Sequence, residues 1–298
     1  MAARISWELY RSFLAVLTEG SLSGAARALG IAQPTVGRHV AALERSLGTA
    51  LFTRSQIGLL PTDAALPLRT YAEAMSNSVA ALERAASSHG TGVRGVVRVT
   101  ASEVIGVEVL PRIVARLREQ HPDLQVELEL SNRMQDLLQR EADIAVRMTR
   151  PTQALLIARR IGHVGLGAHA SKEYVKRHGV PDTTADLEHH ALIGFDRPTA
   201  FIRAAGKSFP VFQREAFAMR ANSDLAQLAL IRSGAGVGIC QVAIARRDGL
   251  VRVLRRQFSL QLDTWIAMHE DLRNSPRCRV TFDALVAGLQ EHVAAATR

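Results

Sequence analysis

Three glycines, Gly20, Gly30 and Gly48, cut the start of the chain into segments short enough to dictate a small helical unit. Each follows a run whose apolar residues recur every three or four positions, the spacing of one helix face. Trp7, Tyr10, Phe13, Leu14 and Leu17 form the first stripe, after a cap at Ser6. Ser21 can cap a second, short helix that turns Leu22, Ala25, Ala26 and Leu29 to one side. Gln33-Pro34-Thr35 opens a third, with Pro34 in the first turn, where its missing N–H costs nothing. Val36, Val40, Leu43 and Leu47 line its inner face. Residues 51–62 then read as a two-stranded ribbon turning at Gly58, and residues 63–88 as a long helix carrying Leu66, Ala74, Val79 and Leu82 with few charges.

Helices two and three with their short turn match a helix-turn-helix. The bracing helix needs a small inner face, which Ala25 and Ala26 supply, so that the next helix can approach closely. That next helix must offer its N-terminal residues to base edges in the major groove. With Val36, Val40 and Leu43 inward, Gln33, Thr35, Arg38 and Ala42 point outward, and His39 lies near the edge of that face. Gln33 suits an adenine edge, and Arg38 suits guanine or phosphate. Ser21 and Pro34 stand at the two helix starts. Arg54 on the ribbon can hold backbone phosphate, as a wing would.

Residues 87–92 (SSHGTG) read as a linker. Beyond it the texture alternates between strand and helix, the pattern of parallel sheets with helices on their faces. Strands are expected at 95–101, 124–130, 142–147, 166–168, 192–195, 216–219, 238–240 and 260–269. Helices are expected at 107–121, 134–140, 224–233 and 276–294.

Composition excludes several classes. The 298 residues are 47% hydrophobic and 22% charged, as in folded globular proteins, and the length suits two domains. Cys240 and Cys278, the two cysteines, are too few for a disulfide framework or a structural zinc site. No apolar run reaches membrane-spanning length, and the start lacks the unbroken apolar core of a signal peptide, so a cytoplasmic protein is expected. The net charge of +9 fits a polyanion partner, yet most of the excess lies after residue 90, so the motifs must carry that reading.

The chain resembles the LysR-type transcriptional regulators. The resemblance rests on FLAVLTEGSLSGAARALGIAQPTVGRHVAALERSLGTALFTR over residues 13–54, and continues through VRVTAS, HPDLQVEL, ADIAVR, GAGVGI and HEDLRNSPR. It implies an N-terminal winged helix-turn-helix (1–62), a long dimerising linker helix and hinge (63–90), and a C-terminal α/β effector domain (91–298). That domain would have two lobes like those of a periplasmic binding protein, near 91–165 with 267–298, and 166–266. It also implies double-stranded promoter DNA, a small-molecule effector and RNA polymerase as partners, and a homodimer or homotetramer. The chain departs from the family pattern at Ala32, Gly37 and Ala42, and in the wing end LLPTDAA, which leaves fewer polar groups for DNA.

Ligands of such sheets bind outside the carboxyl ends of the strands, where helix N-termini point. Thr100-Ala101-Ser102 ends the first strand just before a helix, so the Ser102 hydroxyl and nearby backbone N–H groups can hold a carboxylate. Arg147 ends the 142–147 strand, where its guanidinium would face the same crevice. Asn222-Ser223-Asp224 reads as a helix cap, and the resemblance adds that such a segment lines the effector cleft. Phe195 and Phe201 flank a loop that could form an apolar wall.

Other chemistry fits poorly. Gly234, Gly236 and Gly238 lack the spacing of a dinucleotide loop and follow a helix instead of opening one. No nucleophile-base signature stands out, and His189-His190 lacks a third ligand at metal spacing. No cofactor or metal is expected. The reading is a ligand-responsive DNA-binding regulator. Its rivals are a small-molecule-binding module with a degenerate DNA domain, and an enzyme on the α/β part.

Overall fold

The computed structural model describes residues 5–55, 58–86, 92–132, 142–151, 156–197, 202–203 and 209–297. The chain forms two compact units, one ending at Ala86 and one built from the described residues beyond it. The expected helix at 134–140 and Phe201 lie outside the described residues.

In the first unit, α1 (Trp7–Glu19), α2 (Leu22–Leu29) and α3 (Gln33–Leu47) end at Gly20, Gly30 and Gly48, all with left-handed backbone. The Ser6 and Ser21 hydroxyls accept the N–H of Glu8 and Gly24 at the helix starts. Phe13, Leu43 and Leu51 are fully buried together with Ala65 and Ala72, which belong to the long α4 (Ala65–Ala86). Burying each large side chain contributes roughly 2 kcal/mol. A second cluster joins Val16, Ala25, Ala26, Val36 and Val40, so the small face of α2 is what lets α3 approach.

The ribbon is β1 (Phe52–Ser55) against β2 (Gly58–Pro61), antiparallel. Gly58 was expected at the turn; it opens the second strand instead. The Leu59 N–H donates to the Gly20 carbonyl at 2.8 Å, and a Cβ at position 58 would stand 2.6 Å from that oxygen. The glycine serves the close approach of wing and helix end, and its φ of 127° is one that only glycine adopts freely.

The second unit centres on a seven-stranded sheet. Its strands are β3 (Gly95–Ala101), β4 (Leu124–Leu130), β5 (Ile144–Arg147), β6 (Leu156–Ala170), β9 (Gly238–Gln241), β10 (Val251–Val253) and β11 (Leu260–His269). The order is β10-β6-β11-β5-β3-β4, with β9 also on β6. β3 is parallel to both β4 and β5, but β11 runs antiparallel to β5 and β6, and β9 and β10 antiparallel to β6. The sheet is thus mixed, not parallel throughout. A chain that crosses between lobes and returns must run its long strands in opposite directions. A separate parallel pair joins β7 (Leu192–Phe195) and β8 (Phe217–Ala221).

The expected helix over 107–121 is two helices, α5 (Glu103–Glu108) and α6 (Leu110–Gln120), joined at Val109. Pro111 in the first turn of α6 has no N–H to continue the ladder, which makes a break there cheap. Strand 166–168 proves to be the end of the fifteen-residue β6. Among the described elements, α7 (Lys172–His178), α9 (Val242–Arg247) and β10 had no expectation, nor did the short 3-10 turns. The remaining helices are α8 (Asp224–Arg232) and α10 (Pro276–Thr297). One apolar core gathers Val97, Val99, Ala101, Ile144, Val146, Ile266 and Leu285, under α6 and α10. Two others lie around Leu192, Phe217 and Phe258, and around Ile193, Leu228 and Ile231. These cores define two lobes threaded by β6 and β11.

Candidate DNA-binding face and effector site

On α3, Val36, Val40 and Leu43 are buried while Gln33, Pro34 and Arg38 are exposed. The Arg38 guanidinium donates to the Thr35 hydroxyl at 3.1 Å, one turn earlier, so these two side chains share the outer face. His39 does not join them. Its Nδ1 lies 2.8 Å from the Ser12 hydroxyl of α1, which ties the ring to the helix packing. The Ser21 hydroxyl is taken by its own capping bond. Gly37 faces α2, since a Cβ there would sit 3.7 Å from the Leu22 side chain. Arg54 is exposed on β1, opposite Leu59. No local pattern marks Glu44, whose carboxylate accepts the N–H groups of Leu51 (2.7 Å) and Phe52 (3.3 Å) and fixes the wing to the end of α3.

In the second unit, Thr100 and Arg147 come together: Arg147 Nη2 donates to Thr100 Oγ1 at 2.8 Å, and both residues are buried. Ala101 faces the other way, into the lobe core, so only its backbone is near that face. Ser102 stands at the N-terminus of α5 without making a side-chain capping bond. Across from it is the start of α8. The Ser223 hydroxyl donates to Glu103 at 3.2 Å; Asn132 accepts the Glu103 N–H at 3.2 Å and donates to Asp224 at 3.0 Å. Burial pushes the Asp224 carboxyl up, with the Glu103 charge adding to it and the Asn132 bond opposing. Asn222 is exposed beside this junction, and half-buried Phe195 pairs in register with Ala221 just before it. Thus Ser102, Ser223, Asn222 and Phe195 gather where the lobes meet. Asn132, Glu103 and Asp224 are the members the sequence did not reveal.

The other end of α5 is also tied to the second lobe. Glu108 receives both ends of the Arg232 guanidinium, at 2.8 and 2.9 Å, and Arg247 as well. Asp248 closes the ring with Arg232 (2.6 Å) and Arg247 (2.8 Å). The Arg232 bond, opposed by burial and helped by Arg247, holds the Glu108 carboxyl down at about 2.

Gly236 packs so tightly on the chain at Ala191 that a Cβ would stand 2.3 Å from that carbonyl, which accounts for a glycine there without a nucleotide. His190 Nδ1 lies 3.2 Å from the Tyr174 hydroxyl. Among the described residues, no group of three or more His, Cys, Asp or Glu is placed to hold a metal ion. Cys240 Sγ lies 3.4 Å from His169 Nδ1, and that nitrogen bonds the Gly167 carbonyl at 2.8 Å. Burial pushes the thiol up to about 12 and the imidazole down to about 4, so both are neutral near pH 7. No helix among the described residues is long and apolar enough to cross a membrane.

The helix-turn-helix of bacterial regulatory proteins of the lysR family matches residues 7–66, and the LysR substrate binding domain matches residues 90–290. The chain belongs to the LysR family of transcriptional regulators. CrgA of Neisseria meningitidis serogroup B is 28% identical over 287 residues, 93% of this chain and 95% of that protein. The CrgA structure superposes with a TM-score of 0.58 at 26% identity, covering 95% and 98% of the two chains. An HTH-type transcriptional regulator of Xanthomonas campestris is 31% identical over 183 residues, 61% of this chain and about half (53%) of that protein. CbnR, solved in complex with its target DNA, shares the fold, with a TM-score of 0.63 over 98% of this chain at 20% identity. As the lysR-family helix-turn-helix match runs through α1–α3 and the wing, the reading of a degenerate DNA domain is not supported. These relatives are regulators of transcription.

Proposed function

We propose that this LysR-type regulator reads promoter DNA with Gln33, Pro34, Thr35 and Arg38 of α3 and holds flanking phosphate with Arg54. The observation that carries this is the division of α3 into a buried Val36/Val40/Leu43 face and an exposed face where Arg38 and Thr35 are already linked. Ser21 and His39 support the reading helix through their bonds to Gly24 and Ser12. Residues 1–62 are the DNA-binding domain, 63–90 the linker helix and hinge, and 91–298 the effector domain, with lobes 91–165 plus 267–298 and 166–266. The protein works in the cytoplasm, where its promoters and RNA polymerase are.

Pairing through α4 is part of the proposal. Tyr71, Met75, Val79 and Leu82 follow one another about one turn apart, and Tyr71 and Leu82 are 71% and 69% exposed. A symmetry mate would cover that stripe, and a twofold dimer reads an inverted repeat.

The effector is a small molecule with an anionic or strongly polar group, held by Ser102, the start of α5, Thr100 and Arg147, with Asn222, Ser223 and Phe195 on the opposite lobe. The Arg147–Thr100 pair and the uncapped Ser102 hydroxyl support this. Glu103 and Asp224 at the rim disfavour a polyanion and suit a single anionic group with a hydrogen-bond donor beside it. Mapping bound promoters in cells tests the function: wild type should enrich discrete promoters, and Arg38→Ala should lose them. Equal enrichment by both proteins, or none by wild type, would overturn it.

A further inference from the structure

β11, β5 and β3 lie side by side, and their inward residues Ile266, Met268, Ile144, Val146, Val99 and Ala101 fill one lobe core. Strand alternation sends their neighbours to the opposite face. There Trp265 stands directly across from Arg147 in register, and Arg147 reaches over to Thr100 on the next strand. Trp265 is the first residue after the register shift between β11 and β6, a place where a bulge re-aims a side chain. The Arg150 guanidinium sits 5.6 Å from the centre of the indole ring, favourable for its face. The ring's edge is different: Nε1 is buried and, among the described residues, has no hydrogen-bond partner. An indole N–H can only donate, and buried donors left without an acceptor are rare in native proteins.

We propose that the Trp265 N–H belongs to the effector site, donating to an acceptor oxygen of the same anionic group that Arg147 holds. This rests on the effector reading given above and extends it to a third strand. Trp265, Arg147 and Thr100 then form a row of donors across β11, β5 and β3, and the row suits a planar group with two acceptor oxygens, a carboxylate above all. An effector with an acceptor on one side only would leave the indole unanswered, so Trp265 selects among ligands that Arg147 alone would accept.

The test uses the full-length, 15N-labelled protein, which has two indole N–H signals, from Trp7 and Trp265. Trp7→Phe assigns them, and Arg147→Lys assigns the Arg147 side-chain signal. Acetate, and separately benzoate, are the probes. The Trp265 and Arg147 signals should move together and saturate together, Trp7 should stay, and Trp265→Phe should weaken benzoate roughly tenfold. If the Arg147 signal moves and Trp265 does not, the effector reading stands and the Trp265 assignment is wrong. If neither carboxylate moves either signal, the anionic-effector reading fails and the assignment falls with it. Equal movement of Trp7 marks a bulk-salt effect and also counts against the assignment. Because the decisive signals come from wild type, poor folding of a variant does not blunt the test.

Discussion

The Ser12 hydroxyl and His39 Nδ1 lie 2.8 Å apart, joining the middle of α1 to the middle of α3. Ser12 is buried, and the bond sits one residue after Arg38 on the reading helix. Its job is to fix the rotation of α3. Ser12→Ala leaves the imidazole nitrogen without that partner and is expected to cost about 1–2 kcal/mol. A urea titration should show a lower midpoint at unchanged slope. An unchanged midpoint would mean that water replaces the hydroxyl freely.

Glu108 is the centre of the charge ring between α5, α8 and α9. Its folded-state carboxyl is held at about 2, well below its ordinary 4.5. The stabilisation is therefore complete above about pH 4.5 and lost as pH falls towards 2. Glu108→Gln should destabilise the protein at pH 7 by about 1–3 kcal/mol, less than a fully buried pair would, because both arginines are partly exposed. The gap between wild type and variant should narrow below pH 4.5. A gap independent of pH down to 2.5 would assign the loss to packing.

Cys240 and Cys278 should be inert in the folded protein. Cys278 is fully buried and the Cys240 thiol is raised to about 12, with a neutral His169 that cannot act as a cationic partner. A thiol reagent at pH 8 should label neither cysteine until urea is added, and then both. Rapid native labelling of Cys240 would reopen a redox role.

Leu82→Glu should weaken self-association, because it puts a charge into the exposed stripe of α4. Light scattering should give at least two chains per particle for wild type and fewer for the variant. A wild-type monomer at working concentration would rule out pairing through this helix.

Local signals were readable and non-local ones were not. Ser6, Ser21, Gly20, Gly30 and Gly48 act within one helix turn, and they placed α1–α3 closely. Strand 260–269 was legible from its apolar run. The length of β6 was hidden because Arg159, Arg160 and His163 interrupt its pattern, and it is held by pairing with β11 about a hundred residues later. Arg147 could be placed at a strand end, but Thr100, its partner, is 47 residues away, and the Ser223–Glu103 bond spans 120. Such contacts depend on which strands become neighbours, and nothing in the local sequence encodes that. His39 is a related case: helical spacing puts it near the outer face, and only the crossing of α1 gives it a partner.

The most direct test of the central claim is a fluorescence-anisotropy titration of the upstream region of its own gene at fixed salt, with wild type, Arg38→Ala and a scrambled duplex. Wild type is expected to bind the upstream region much more tightly than the scramble. Arg38→Ala should lose about 1–3 kcal/mol of that affinity, as expected for one bidentate base contact, with its unfolding midpoint unchanged. Equal wild-type affinity for both duplexes, or an Arg38→Ala protein that binds as well as wild type, would contradict it.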